Sequence, residues 1–81
     1  MNQQQRKRLA EISATLSTAH EDLESLRDDE QEKLDNLPEN LQSSKPAAAL
    51  QAGIDALDQA LGSIDEVTGA IDEATMAGAQ S

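Results

Sequence analysis

The sequence contains no cysteine, phenylalanine, tyrosine or tryptophan, and only two prolines, four glycines and one histidine. Without cysteine there is neither a disulfide staple nor a thiolate metal ligand, which fits a reducing compartment. Without aromatic rings, any core must come from Leu, Ile, a single Val, two Met and Ala. One histidine is too few for the multi-ligand sets that hold zinc. No stretch approaches the ~20 apolar residues that cross a bilayer. The basic start Arg6-Lys7-Arg8 has no apolar run behind it, so it does not read as a secretory signal. The default expectation is one soluble cytoplasmic domain spanning residues 1–81.

Basic residues are also scarce: six Lys and Arg face sixteen Asp and Glu, for a formal charge of −10. From residue 21 to 35 there are eight carboxylates against Arg27 and Lys33, and no basic residue follows Lys45. Such a chain repels nucleic acid and anionic membranes and attracts basic protein surfaces. The acidic charge reads either as a solubilising coat or as a functional face.

What the chain does contain is a heptad pattern. Leu9, Ile12, Leu16, Ala19, Leu23 and Leu26 alternate spacings of three and four, and so do Leu50, Ile54, Leu57, Leu61, Ile64, Thr68 and Ile71. This spacing predicts two amphipathic helices with a coiled-coil seam. The first is expected over residues 3–35, a bend over 36–45, and the second over about 46–74, followed by a frayed tail at 75–81. In helix one the pattern meets polar Glu30 and Lys33, and Leu34 and Leu37 resume it slightly offset. Pro38 disfavours helical geometry at Leu37 and can open a short turn. Leu37 and Leu41 are then spaced to cap the end of the bundle, and Ser44 is a candidate N-cap ahead of Pro46. At 1.5 Å per residue, each helix is ~45–50 Å long, and matched lengths favour an antiparallel hairpin. One seam makes a lone hairpin marginal. The expectation is therefore an all-α, antiparallel, coiled-coil-like hairpin that dimerises into a four-helix bundle.

Helix two repeats internally. Ile54-Asp55-Ala56-Leu57-Asp58-Gln59-Ala60 aligns with the heptads beginning at Leu61 and Thr68. Asp58, Asp65 and Asp72 follow the inward Leu57, Ile64 and Ile71, forming an acidic row with no cation in its own helix. Gly62 and Gly69 recur at one heptad position, either as tolerated repeats or because another backbone approaches there.

The bend Asp35-Asn36-Leu37-Pro38-Glu39-Asn40-Leu41-Gln42 followed by Ile-Asp heptads resembles small uncharacterised acidic helical proteins of bacteria and their phages. The resemblance covers residues 26–74. It implies a phage or mobile-element setting in the bacterial host cytoplasm and brings no site residues. Lys45-Pro46-Ala47-Ala48-Ala49 departs from that pattern, where more charge is expected.

Catalytic chemistry has no foothold. Nucleophilic catalysis needs a base held within reach, and His20 stands alone between Ala19 and Glu21 at the seam's edge. Asp28-Asp29-Glu30 lacks the alternating ligands and glycine turn of a calcium loop. There is no phosphate-binding glycine loop, and no cofactor is expected. The expected function is non-enzymatic protein binding through Asp28, Asp29, Glu30, Glu32, Asp58, Asp65 and Asp72, with Leu37, Pro38 and Leu41 as a second surface. With the resemblance, this becomes a small inhibitor of a host anti-phage defence protein that has a basic surface. The rival is a self-associating scaffold or assembly protein. A weak DNA-binding regulator using Arg6–Arg8 ranks last.

Overall fold

The computed structural model describes residues 1–80, with side chains as far as Gly78. Two long helices, α1 (Gln3–Asp35) and α2 (Lys45–Gln80), pack antiparallel on either side of a short 3-10 turn, Glu39–Leu41. The rod measures 61 × 15 × 12 Å. Among the described residues there is no strand, and no helix is long and apolar enough to cross a membrane.

Both ends of α1 and the start of α2 are satisfied locally. Asn2 and Gln5 form a reciprocal capping box, with Gln5 N–H donating to Asn2 Oδ1 at 2.8 Å and Asn2 N–H donating to Gln5 Oε1 at 3.0 Å. At the bend, the Gln42 side-chain amide donates to the Leu37 carbonyl at 2.9 Å and the Leu34 carbonyl at 3.2 Å. The Leu34 carbonyl also accepts from Leu37 N–H at 3.2 Å, so the side chain reinforces the turn that ends α1. Ser44 Oγ accepts from Ala47 N–H at 3.3 Å and starts α2, with Pro46 in the first turn.

The hairpin has little core. Among the described apolar side chains only Ala47 and Ile54 are buried, at 3% and 1% exposure, and α1 buries none. Leu50, Leu57, Leu61, Ile64, Thr68 and Ile71 line the α2 side of the seam half-buried, as do Leu9, Leu16 and Leu23 on α1.

The seam on α1 differs from the heptad expected. Ile12 and Leu26 are 48% and 54% exposed and lie outside the packing between α1 and α2. Their places are taken by Ser13, His20, Arg27 and Leu34, all half-buried. This phase turns Leu34 and Leu37 inward and brings polar side chains of α1 to carboxylates of α2. α1 is turned so that His20 and Arg27 meet Asp65 and Asp58 of α2. The offset of Leu34 and Leu37 near the bend is the phase of the whole seam. Leu37 folds inward, whereas Leu41 remains exposed and caps nothing within the hairpin.

At the other end, α2 continues past Ala74 to Gln80 instead of fraying. Half-buried Thr75 and buried Gly78 extend the seam's spacing. Met1 packs on Gly78, where an added Cβ would sit 3.3 Å from its side chain. Arg6 Nη1 donates to the Gly78 carbonyl at 3.5 Å and to the Met1 carbonyl at 3.3 Å, tying the two ends together. Ser81 lies outside the described residues.

Candidate partner-binding surface

The antiparallel register gives the hairpin two unlike sides. In an antiparallel pair of heptad helices, the flanking positions of each helix meet their counterparts on the same side of the seam. One side carries Glu21, Glu24 and Asp28 of α1 with Asp58, Asp65 and Asp72 of α2. The other carries Ile12, Ala19 and Leu26 of α1 beside Gly53, Ala60, Val67 and Ala74 of α2. Next to these on α2 lie Ala49, Ala56, Ser63, Ala70 and Ala77, so this flank of α2 has no charged residue.

The acidic edge is partly neutralised from within the chain. Arg27 Nε donates to Asp58 Oδ1 at 2.9 Å, and Arg27 Nη1 lies 3.6 Å from Asp28. The guanidinium is held above its ordinary pKa, first by the hydrogen bond to Asp58 and then by that carboxylate's charge. One heptad away, His20 Nε2 lies 3.1 Å from Asp65 and Nδ1 lies 2.9 Å from Glu24. Only the imidazolium form donates to both. One heptad further, no cation is available: Ser13 stands in line with His20 and Arg27, and it shares a shallow recess with Asp72. Among the described residues Asp72 makes no ion pair.

Of the other acidic residues singled out in the sequence, Asp29, Glu30 and Glu32 line a separate recess with Leu26, Lys33 and Asn36. Asp29 and Glu30 sit with Leu26 and Lys33 on the opposite side of α1 from Asp28. Glu30 accepts from Lys33 Nζ at 2.9 Å, and this bond, with the attraction of the charge, raises the Lys33 pKa. Glu32 is exposed on the outer surface of α1. Pro38 and Leu41 are exposed at the bend, without the inward-facing Leu37.

Arg6, His20 and Arg27 are the residues that sequence reasoning passed over as structural partners. One signal for two of them was present: His20 and Arg27 are spaced by seven, as are Asp58 and Asp65. Arg6 is drawn into the joined ends, which leaves Lys7 and Arg8 as the exposed cations of the basic start. Gly62 and Gly69 face open space on the acidic side, where an added Cβ would meet nothing within 4 Å, so no backbone of this hairpin approaches them. Among the described residues no cluster of three or more His, Cys, Asp or Glu is placed to hold a metal. Comparison with protein-family models, curated proteins and solved structures gives no match.

Proposed function

We propose that this chain is a non-enzymatic protein-binding module whose acidic edge takes a basic surface of another protein. The observation that carries this reading is the sidedness of charge. Glu21, Glu24, Asp28, Asp58, Asp65 and Asp72 share one edge, and the two nitrogen-bearing side chains that face it from the seam, His20 and Arg27, are already engaged within the hairpin. An incoming Lys or Arg therefore meets uncompensated carboxylates, above all Asp72. The attraction speeds encounter and sets specificity more than it adds raw affinity. The module acts as a homodimer, a four-helix bundle whose acidic edges stay outward. The resemblance to small phage and bacterial proteins adds the setting: an inhibitor of a host anti-phage defence protein, acting in the bacterial cytoplasm.

The test combines Glu21→Lys, Asp28→Lys and Asp72→Lys, three exposed positions of that edge that leave the Arg27–Asp58 and His20–Asp65 pairs in place. Circular dichroism is expected to show unchanged helicity. Affinity capture from bacterial lysate, read by mass spectrometry, is expected to lose its partner with the triple variant. Capture of the same protein by wild type and triple variant alike would overturn the acidic-edge reading.

The uncharged flank of α2 favours a second reading, a self-associating scaffold. Sedimentation separates the two: a closed dimer supports the binding module, and mass that keeps growing with concentration supports the scaffold.

A further inference from the structure

The side opposite the acidic edge exposes Ile12, Leu26 and Val67 at 48%, 54% and 48%, while only two apolar side chains are buried among the described residues. We propose that a second copy of this chain covers this face, antiparallel, α1 on α1 and α2 on α2, about a twofold axis at the level of Ala19 and Val67. The proposal rests on the homodimer reading above and gives it a surface and an orientation.

Charge selects the orientation. α1 is bipolar, with Arg6, Lys7 and Arg8 at its start and Asp28, Asp29, Glu32 and Asp35 near its end, while α2 has no cation beyond Lys45. A copy laid α1 on α2 would bring Arg8 beside Ala77 and Gly78 and bring Asp29 beside an uncharged flank. A copy laid α1 on α1 in the opposite direction sets Arg8 within one residue of the level of the partner's Asp29. Symmetry makes this pairing twice.

Shape selects the axis. Ile12 and Leu26 each stand seven residues from Ala19, so an axis at Ala19 brings Ile12 to the partner's Leu26 and Leu26 to the partner's Ile12. Ala60 and Ala74 likewise stand seven residues from Val67. The register set by Arg27–Asp58 and His20–Asp65 puts Ala19 level with position 66, one residue from Val67, so a single axis passes close to both and serves both helix pairs. With only Ala, Gly, Ser and Val on that flank of α2, the two α2 helices can approach to about 8 Å, the close end of helix packing. From Gln5 to Lys33 the face is about 42 Å long, and two helices side by side are about 20 Å wide. This reaches the roughly 800 Å² per partner of a standard specific interface. The carboxylate rows of two chains, each of charge −10, stay on opposite outer sides.

The chain has no cysteine, so one introduced thiol reports the axis alone. In the Val67→Cys variant the two thiols meet on the axis, within the Cα separation of 4.4–6.8 Å that a disulfide needs. The expected results are a dimer by sedimentation equilibrium and near-complete oxidative cross-linking of Val67→Cys. Glu66→Cys, on the outer surface of α2, should stay uncross-linked. Arg8→Asp is expected to weaken the dimer about tenfold, and Arg8→Asp with Asp29→Arg to restore it. A dimer that leaves Val67→Cys uncross-linked would overturn the axis while preserving the homodimer. A chain that is monomeric at all concentrations would overturn the homodimer itself and assign the face to a different protein.

Discussion

Arg27 and Asp58 are 31 residues apart in the chain, yet the guanidinium Nε donates to the carboxylate at 2.9 Å across the seam. This pair and His20–Asp65, one heptad away, fix how α1 is rotated against α2. They explain why Ile12 and Leu26, which have the spacing of core residues, lie outside the seam. The first prediction tests this role. Arg27→Asp or Asp58→Arg alone should lower the thermal midpoint by a few degrees, the scale of a half-exposed ion pair. The double reversal should recover most of the loss. Circular dichroism melting of the four proteins reads the coupling, and equal loss in the double variant would mean the pair sets nothing.

Ser13 occupies the position, in line with His20 and Arg27, where an added cation would face Asp72. Ser13→Arg should therefore raise the thermal midpoint, and the gain should vanish when Asp72→Asn is added. The gain should also shrink in high salt, because exposed charges are screened beyond a Debye length of about 8–10 Å at 0.1–0.15 M.

The alternation of apolar residues made two helices, a bend and an antiparallel arrangement legible, because those follow from local spacing and the chemistry of Pro38 and Ser44. The phase of the α1 seam was not legible from hydrophobicity. Ile12 and Leu26 score as core, Ser13 and Arg27 as surface, and the decision between them is made by carboxylates on the other helix. For the same reason the acidic residues read as one surface in the sequence, while the fold sends Asp28 and Asp29 to opposite sides. The continuation of α2 beyond Ala74 was hidden because Thr75 and Gly78 carry no hydrophobic signal, and the contacts on Gly78 come from Met1 and Arg6 at the far end of the chain.

Ile54 is the most deeply buried large side chain, at 1% exposure. Ile54→Ala should cost about 2–5 kcal/mol, enough to remove most of the cooperativity of a molecule with so small a core. Urea unfolding followed by circular dichroism measures it. A cost under about 1 kcal/mol would place the stabilising contacts elsewhere.

Gly62 and Gly69 are the counter-case. Each lies in the interior of α2 with open space at its Cβ, so Gly62→Ala and Gly69→Ala should each stabilise by about 0.8–1 kcal/mol. Both lie on the acidic side, away from the proposed dimer face, so sedimentation should be unchanged. Destabilisation would show that another backbone does approach these positions.

The central claim is that α1 presents His20 and Arg27, not Ile12 and Leu26, to α2. His20 is the only side chain in the protein that gives ring-proton signals in the aromatic region of a proton NMR spectrum. It lines a recess with Ile64, Asp65 and Thr68. Nuclear Overhauser spectra, with isotope filtering to separate contacts within one chain from contacts between chains, therefore read the rotation of α1 directly. The account predicts intrachain cross-peaks from the His20 ring to the methyl groups of Ile64 and Thr68. A His20 ring without cross-peaks to α2, with Ile12 and Leu26 methyls showing intrachain contacts to the Leu57, Leu61 and Ile64 methyls instead, would contradict it.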